Sequence, residues 1–170
     1  MLLDCYREYK DLREEIDTTC NQLRKLHKEE MVCKDGCDSC CRSFKILPVE
    51  YHSIKKAINN SDIEINRKAK KGECKFLVNK RCTIYSERPI ICRTHGYPLV
   101  RLNEETEAYE VSFCKLNFSN FPLIKFNESN VLFEDTFNSK LYMLNKRFVK
   151  ELKQENYDAI ELLELNNLTT

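Results

Sequence analysis

Residues 33–41 read Cys-Lys-Asp-Gly-Cys-Asp-Ser-Cys-Cys, and residues 82–93 read Cys-Thr-Ile-Tyr-Ser-Glu-Arg-Pro-Ile-Ile-Cys-Arg. In the first stretch only two or three residues separate most successive cysteines, so that neighbouring thiolates can turn inward around one ion on a tight loop. Gly36 supplies the backbone freedom that such a turn requires. The spacing therefore predicts a metal centre in the middle of the chain.

Eight of the ten cysteines lie in this middle segment. The predicted metal ligands are Cys33, Cys37, Cys40, Cys41, Cys74, Cys82, Cys92 and Cys114. All-sulphur coordination selects zinc, cuprous copper or an iron–sulphur cluster over magnesium or calcium, because thiolates are soft ligands. The spacing from Cys33 to Cys40 can also hold three corners of a [4Fe–4S] cube. One four-thiolate centre with spare cysteines, two such centres, or one polynuclear cluster are all compatible with the spacing.

The remaining two cysteines, Cys5 and Cys20, fall within a predicted helix away from the others, and we expect them to pack as small apolar residues. A secreted disulfide scaffold is the alternative for so many cysteines. It is disfavoured because the chain shows no secretory signal pattern, and because the neighbours Cys40 and Cys41 can hardly pair with each other. Cytoplasmic cysteine clusters are more often metal-binding or catalytic.

Composition favours a soluble, cytoplasmic protein with one domain over residues 1–170. Hydrophobic residues make up 42% and charged residues 32%, with a formal net charge of +1, so the chain offers no field to hold nucleic acid. No apolar run is long enough to span a bilayer. We therefore expect a metal ion as ligand and neither a membrane nor a nucleic acid as partner.

Hydrophobic periodicity predicts a predominantly helical α+β fold, in which two long amphipathic helices flank a cysteine-rich middle with short β-hairpins. The predicted helices cover residues 1–31, about 48 onward, 61–71, 87–94, 133–152 and 157–165. The predicted hairpins cover residues 74–85 and 98–113.

Three arginines, Arg42, Arg81 and Arg93, each stand directly beside a predicted ligand. Four thiolates around a divalent ion leave a charge of about −2, so we expect these arginines to compensate it. His95, three residues after Cys92, is expected to be a structural or surface histidine, with a role as alternate ligand left open. His27 and His52 are expected to be solvated.

The cysteine motifs resemble the YkgJ-type cysteine-cluster family, the CxxCxxCC domains described as zinc- or iron-chelating. The resemblance covers residues 30–116 and rests on the run from Cys33 to Cys41 and on the Cys-x-Ile-Tyr-x-x-Arg-Pro-x-x-Cys-Arg stretch from Cys82 to Arg93. It implies metal chelation, with the first seven middle cysteines at the family's cluster positions and Cys114 at a looser one. Flagellin lysine N-methylases carry a similar cluster on a longer chain.

Three other functions are alternatives to a metal-binding module. The sharpest is an enzyme that methylates a protein lysine, although only three glycines are present and no glycine-rich adenosylmethionine loop is visible. A cysteine nucleophile with His95 as base lacks the rest of a triad. A zinc-finger nucleic-acid module would depend on the basic residues 67–71, which are expected to form a solvated helical face.

Overall fold

The computed structural model describes residues 1–34, 36–152 and 157–169, and its longest element is the first predicted helix. Helix α1 spans Leu2–Leu26, with Asp4 in its first turn and Arg24 and Lys25 in its last, charges that suit the helix dipole. Its buried face consists of Cys5, Tyr9, Leu12, Arg13, Ile16, Cys20 and Leu23. The helix ends at Leu26 rather than near residue 31 because the chain turns there and buries the side chain of His27.

The second long helix also agrees closely with its prediction. Helix α4 spans Glu134–Glu151 and buries Phe137, Leu141, Leu144, Asn145 and Phe148. The apolar residues among them join the apolar face of α1 in the larger of two hydrophobic clusters, so the two long helices pack against each other. Apolar burial contributes most of the stability here, because exposed ion pairs such as Lys140–Glu15 contribute little.

Helix α2 (Pro48–Asn59) begins as predicted, with a proline in its first position and an acid in its first turn. Glu50 is buried and accepts hydrogen bonds from the backbone N–H of Leu47 at 3.2 Å and of Ile90 at 2.9 Å. It also accepts one from the hydroxyl of Tyr9 at 3.2 Å. Ile90 begins helix α3 (Ile90–Thr94), so one carboxylate ties α1, α2 and α3 together.

The predicted hairpin over residues 74–85 is present but short. Strand β2 (Leu77–Val78) pairs antiparallel with β3 (Arg81–Cys82). Asn79 and Lys80 turn the chain with φ of 48° and 63°, the left-handed geometry that a two-residue hairpin loop requires. A 3-10 helix over Tyr85–Glu87 then precedes α3. The helix predicted from residue 87 therefore begins only at Ile90.

The second predicted hairpin is confirmed and belongs to a larger sheet. Strand β4 (Leu99–Asn103) pairs antiparallel with β5 (Ala108–Ser112) and parallel with β6 (Leu132–Phe133). The parallel strand was not predicted because its two residues directly precede α4 and share the apolar pattern of that helix.

The predicted helix over residues 157–165 is wrong. Strand β7 (Leu163–Glu164) instead pairs antiparallel with β1 (Lys45–Ile46), and a 3-10 helix over Leu165–Thr169 follows. Asp158 starts a turn before the strand by accepting the N–H of Ile160 at 3.2 Å. Pairing with a distant strand has therefore overridden the local helical pattern.

The predicted helix over residues 61–71 is also wrong, since the segment forms irregular turns. The side chain of Asn66 accepts the N–H of Lys68 at 3.1 Å, and Glu73 accepts the N–H of Lys70 at 2.8 Å. Such side-chain bonds compete with helical ones. Ile63 packs against the smaller hydrophobic cluster, which holds the segment extended there.

The mixed α+β class agrees with the structure. Within residues 1–34, 36–152 and 157–169, none of the helices combines the length and the apolar character that crossing a bilayer requires.

Substitution of Glu50 tests the role of its carboxylate in the fold. Glu50→Ala leaves two backbone N–H groups and the Tyr9 hydroxyl without their acceptor, and we expect a loss of about 3 kcal/mol in the free energy of unfolding. Tyr9→Phe removes only one of these bonds and should cost about 1 kcal/mol. Urea unfolding measures both, and equal costs for the two variants would contradict this account.

Candidate metal centre

The cysteine-rich loop after α1 is shaped by two consecutive turns. The N–H of Cys37 bonds to the carbonyl of Lys34 at 3.0 Å, and the N–H of Cys41 bonds to that of Asp38 at 2.9 Å. Gly36 lies within the first of these turns with a φ of +84°, a conformation that residues with a side chain rarely adopt. The predicted tight loop is therefore present.

Cys33 and Cys114, from opposite ends of the array, meet at Gly96. A Cβ placed on Gly96 would lie 3.5 Å from the Sγ of Cys33 and 3.9 Å from the Cβ of Cys114. Burial raises the pKa of Cys33, and repulsion from the thiolates of Cys114, Cys37 and Cys40 raises it further. These four cysteines are called the first group below.

Asn117 organises the first group, and the sequence analysis missed it. Its side chain is fully buried and donates to the carbonyl of Gly96 at 2.8 Å and to the Sγ of Cys33 at 3.3 Å. Its oxygen accepts the N–H of Val32 at 3.0 Å. The bond to Cys33 lowers the pKa of that thiol, so Asn117 favours the thiolate that a metal needs. Its position three residues after Cys114 was the available sequence signal.

The remaining cysteines of the middle segment form a second group, which consists of Cys41, Cys74, Cys82 and Cys92. An antiparallel bridge between Arg42 and Glu73 sets Cys41 opposite Cys74. The N–H of Leu77 donates to the carbonyl oxygen of Cys74 at 3.1 Å, and Leu77 pairs with Cys82 in the hairpin.

Charge and burial both act on the second group. The hydrogen bond with Cys40 lowers the pKa of Cys41, while burial and repulsion from Cys82, Cys74 and Cys92 oppose that change. Burial, together with Cys74 and Cys82, raises the pKa of Cys92 well above its usual range. Cys74 belongs to the smaller hydrophobic cluster, and Cys82 packs against it. A buried thiol of this kind ionises only when a cation compensates its charge.

The two groups touch through the neighbours Cys40 and Cys41. A hydrogen bond between their sulphurs raises the pKa of Cys40 and lowers that of Cys41. In the described part of the chain, no three histidine, cysteine, aspartate or glutamate side chains are already arranged to hold a metal ion. Thiol donors fit zinc or iron by their chemistry, and ligation requires them to turn toward a common point.

The three arginines beside predicted ligands differ in their surroundings. Arg93 is buried and binds Asp17 of α1 and the carbonyls of Ser86 and Arg88, so its charge is paired within the fold. Arg42 and Arg81 are exposed, and their compensation of the thiolate charge stays a prediction. A cation that acts on the second group is Arg88, which the sequence analysis did not select.

Two contacts with Tyr85 hold the side chain of Arg88 in place. Its guanidinium carbon lies 3.9 Å from the centre of the Tyr85 ring, and its Nη1 donates to the Tyr85 carbonyl at 2.8 Å. Its charge acts to lower the pKa values of Cys82 and Cys92. The Arg-Pro pair inside the Cys82–Cys92 motif was the signal that could have identified it.

The predictions for His27 and His52 are wrong. His27 is buried, its ring meets Phe118 edge-on at 5.0 Å between centroids, and its Nε2 lies 2.8 Å from the carbonyl oxygen of Asn130. His52 is half-buried between aromatic rings, including that of Phe148 at 5.6 Å. His95 is exposed, as expected for a surface histidine.

A cleft of about 530 Å³ borders the first group. Cys114, Gly96 and His95 lie in its wall, together with apolar residues such as Phe113 and Leu141. One side of the first group is thereby open to solutes.

Residues 32–115 match the model of the CxxCxxCC family, which is described as a "putative zinc- or iron-chelating domain". This segment, about half of the chain, belongs to that family, which confirms the resemblance seen in its sequence. The match supports metal binding by the chain. No curated protein and no solved structure matches it.

Cysteine alkylation tests the distinction between the array and the isolated cysteines. Burial raises the pKa of Cys20 to about 12, and only 3% of this residue is exposed. In the reduced, metal-free protein we expect iodoacetamide to modify Cys37 quickly, and Cys20 and Cys5 only on unfolding. Peptide mass spectrometry measures the rates at each cysteine. Labelling of folded Cys20 as fast as that of Cys37 would contradict the structure.

Proposed function

We propose that this protein binds zinc or iron through the thiolates of its eight middle cysteines. These are Cys33, Cys37, Cys40, Cys41, Cys74, Cys82, Cys92 and Cys114. The observation that carries the proposal is that cysteines distant in sequence lie beside each other as free thiols, Cys33 against Cys114 and Cys41 opposite Cys74.

Electrostatics gives the physical reason for a metal. Burial raises the pKa of Cys33, and repulsion from the neighbouring thiols raises it further, so the ionised array is costly without a cation. A bound ion removes that cost and releases protons to the solvent. Asn117 supplies a hydrogen-bond donor to Cys33 of the first group, and Arg88 supplies a positive charge near Cys82 of the second group.

Four thiolates suit either a tetrahedral zinc ion or a [4Fe–4S] cluster. The ion would be structural, or would be stored, sensed or delivered. A brown protein with broad visible absorption indicates the cluster, whereas a colourless protein with zinc indicates the single ion. The lysine methylase alternative and the cytoplasmic location remain predictions that no comparison tests.

Metal content after anaerobic purification tests the proposal. We expect zinc or iron in the wild-type protein and in Cys20→Ser, because Cys20 lies in the α1 core. We expect clear loss of metal in Cys92→Ser, because Cys92 is half-buried and lies in the second group beside Cys74 and Cys82. Elemental analysis measures all three. Wild-type protein without metal, or a Cys20→Ser variant that loses it while Cys92→Ser keeps it, contradicts the proposal.

Metal removal should loosen the middle of the chain far more than its long helices. Ligation energy at a thiolate site contributes to folding, whereas α1 and α4 are held by apolar packing. Hydrogen exchange with and without a chelator should show faster exchange in residues 33–43 and 74–92 and little change in α1. Equal protection of these segments in both samples would count against the proposal.

A further inference from the structure

We propose that the array forms two separate four-thiolate centres that meet at the peptide between Cys40 and Cys41. The first centre consists of Cys33, Cys37, Cys40 and Cys114, and the second of Cys41, Cys74, Cys82 and Cys92. This inference rests on the proposed metal binding and adds the division of its ligands, which the sequence left open.

The first centre is built on the loop after α1 and on the segment around residues 114–117. Gly96 lies between Cys33 and Cys114 and has no side chain. A Cβ at this position would lie within 4 Å of both cysteines. Asn117 joins the two segments by bonding to the sulphur of Cys33 and, through its N–H, to the carbonyl of Cys114 at 2.9 Å. These contacts leave the first group beside the larger hydrophobic cluster, to which Phe118 belongs.

The second centre is built on different elements and lies in different surroundings. The Arg42–Glu73 bridge, the hairpin that contains Cys82, and helix α3, which contains Cys92, supply its cysteines. Cys74 belongs to the smaller hydrophobic cluster, which includes Phe76 and Ile84, and Cys82 packs against that cluster.

The chain changes conformation between Cys40 and Cys41. Cys40 lies inside the turn that the N–H of Cys41 closes onto the Asp38 carbonyl, whereas Cys41 leads into the extended pairing of Arg42 with Glu73. Cys40 therefore belongs to the turn of the loop that follows Cys37, and Cys41 belongs to the segment opposite Cys74.

The hydrogen bonds divide the cysteines in the same way. Asn117 bonds to the sulphur of Cys33 and to the carbonyl of Cys114. Leu77 bonds to the carbonyl of Cys74 and pairs with Cys82. In each centre, four S–H groups would release their protons to solvent as four metal–sulphur bonds form, which leaves a charge of about −2 around a divalent ion.

Zinc stoichiometry tests the division. Reduced, metal-free full-length protein is reconstituted with excess zinc and desalted, and bound zinc is measured per chain. We expect two ions in the wild type and in the control Cys20→Ser, and one ion in each of Cys114→Ser and Cys74→Ser. The double variant should bind none.

The outcomes separate the two proposals. Wild-type protein without zinc contradicts metal binding itself, whereas one ion per wild-type chain overturns only the division. Folded Cys114→Ser or Cys74→Ser protein that loses all its zinc points to one shared cluster and also overturns the division.

The Asn117→Asp variant provides a second test of the division, because it changes none of the proposed ligands. It replaces the N–H donor to Cys33 by a negative charge, so one of the two ions should pass to a chelator at least tenfold more readily while the other is unaffected. Equal weakening of both ions, with helix content unchanged by circular dichroism, would overturn the division.

Discussion

Burial and mutual repulsion of thiols held close together are the constraint on which the middle of this molecule depends. Burial is the main cause that raises the pKa of Cys33, and the charge of three neighbouring thiols raises it further. Burial likewise raises the pKa values of Cys74 and Cys92, and neighbouring cysteines add to this effect. A fold that gathers such groups is stable with neutral thiols or with a bound cation, and soft metals are the cations that thiolates prefer.

The charged residues around the array serve mainly to fix the backbone that carries it. Arg93 binds Asp17 and two carbonyls of the preceding turn, and the N–H of Ile90 binds Glu50, so α3 is fastened to both α1 and α2. Arg13 adds an ion pair to Glu87 at 2.5 Å on the same turn. Cys92 is thereby held in place by buried polar bonds that involve no cysteine.

Helix periodicity and cysteine spacing predicted much of this structure. α1, α4 and both hairpins could be predicted because their apolar residues and turn residues are local signals, and the tight loop at Gly36 followed from the spacing. The helices at 61–71 and 157–165 were wrong because Asn66 makes its own turn and because β7 pairs with the distant β1. Asn117 could not be selected from cysteine spacing, since its role depends on Cys33, 84 residues away in sequence. Arg88 lies between Cys82 and Cys92, and the Arg-Pro pair of that motif was a local signal for it. The burial of His27 likewise depends on phenylalanines from the other half of the chain.

X-ray absorption at the metal edge of anaerobically purified protein tests the central claim most directly, because it counts the atoms bound to the metal. For zinc, the account predicts a first shell of four sulphur atoms at about 2.3 Å. For iron, it predicts sulphur at a similar distance together with the iron–iron contacts of a cluster. A first shell made mainly of oxygen and nitrogen would show that the metal lies away from the cysteines and would contradict the account.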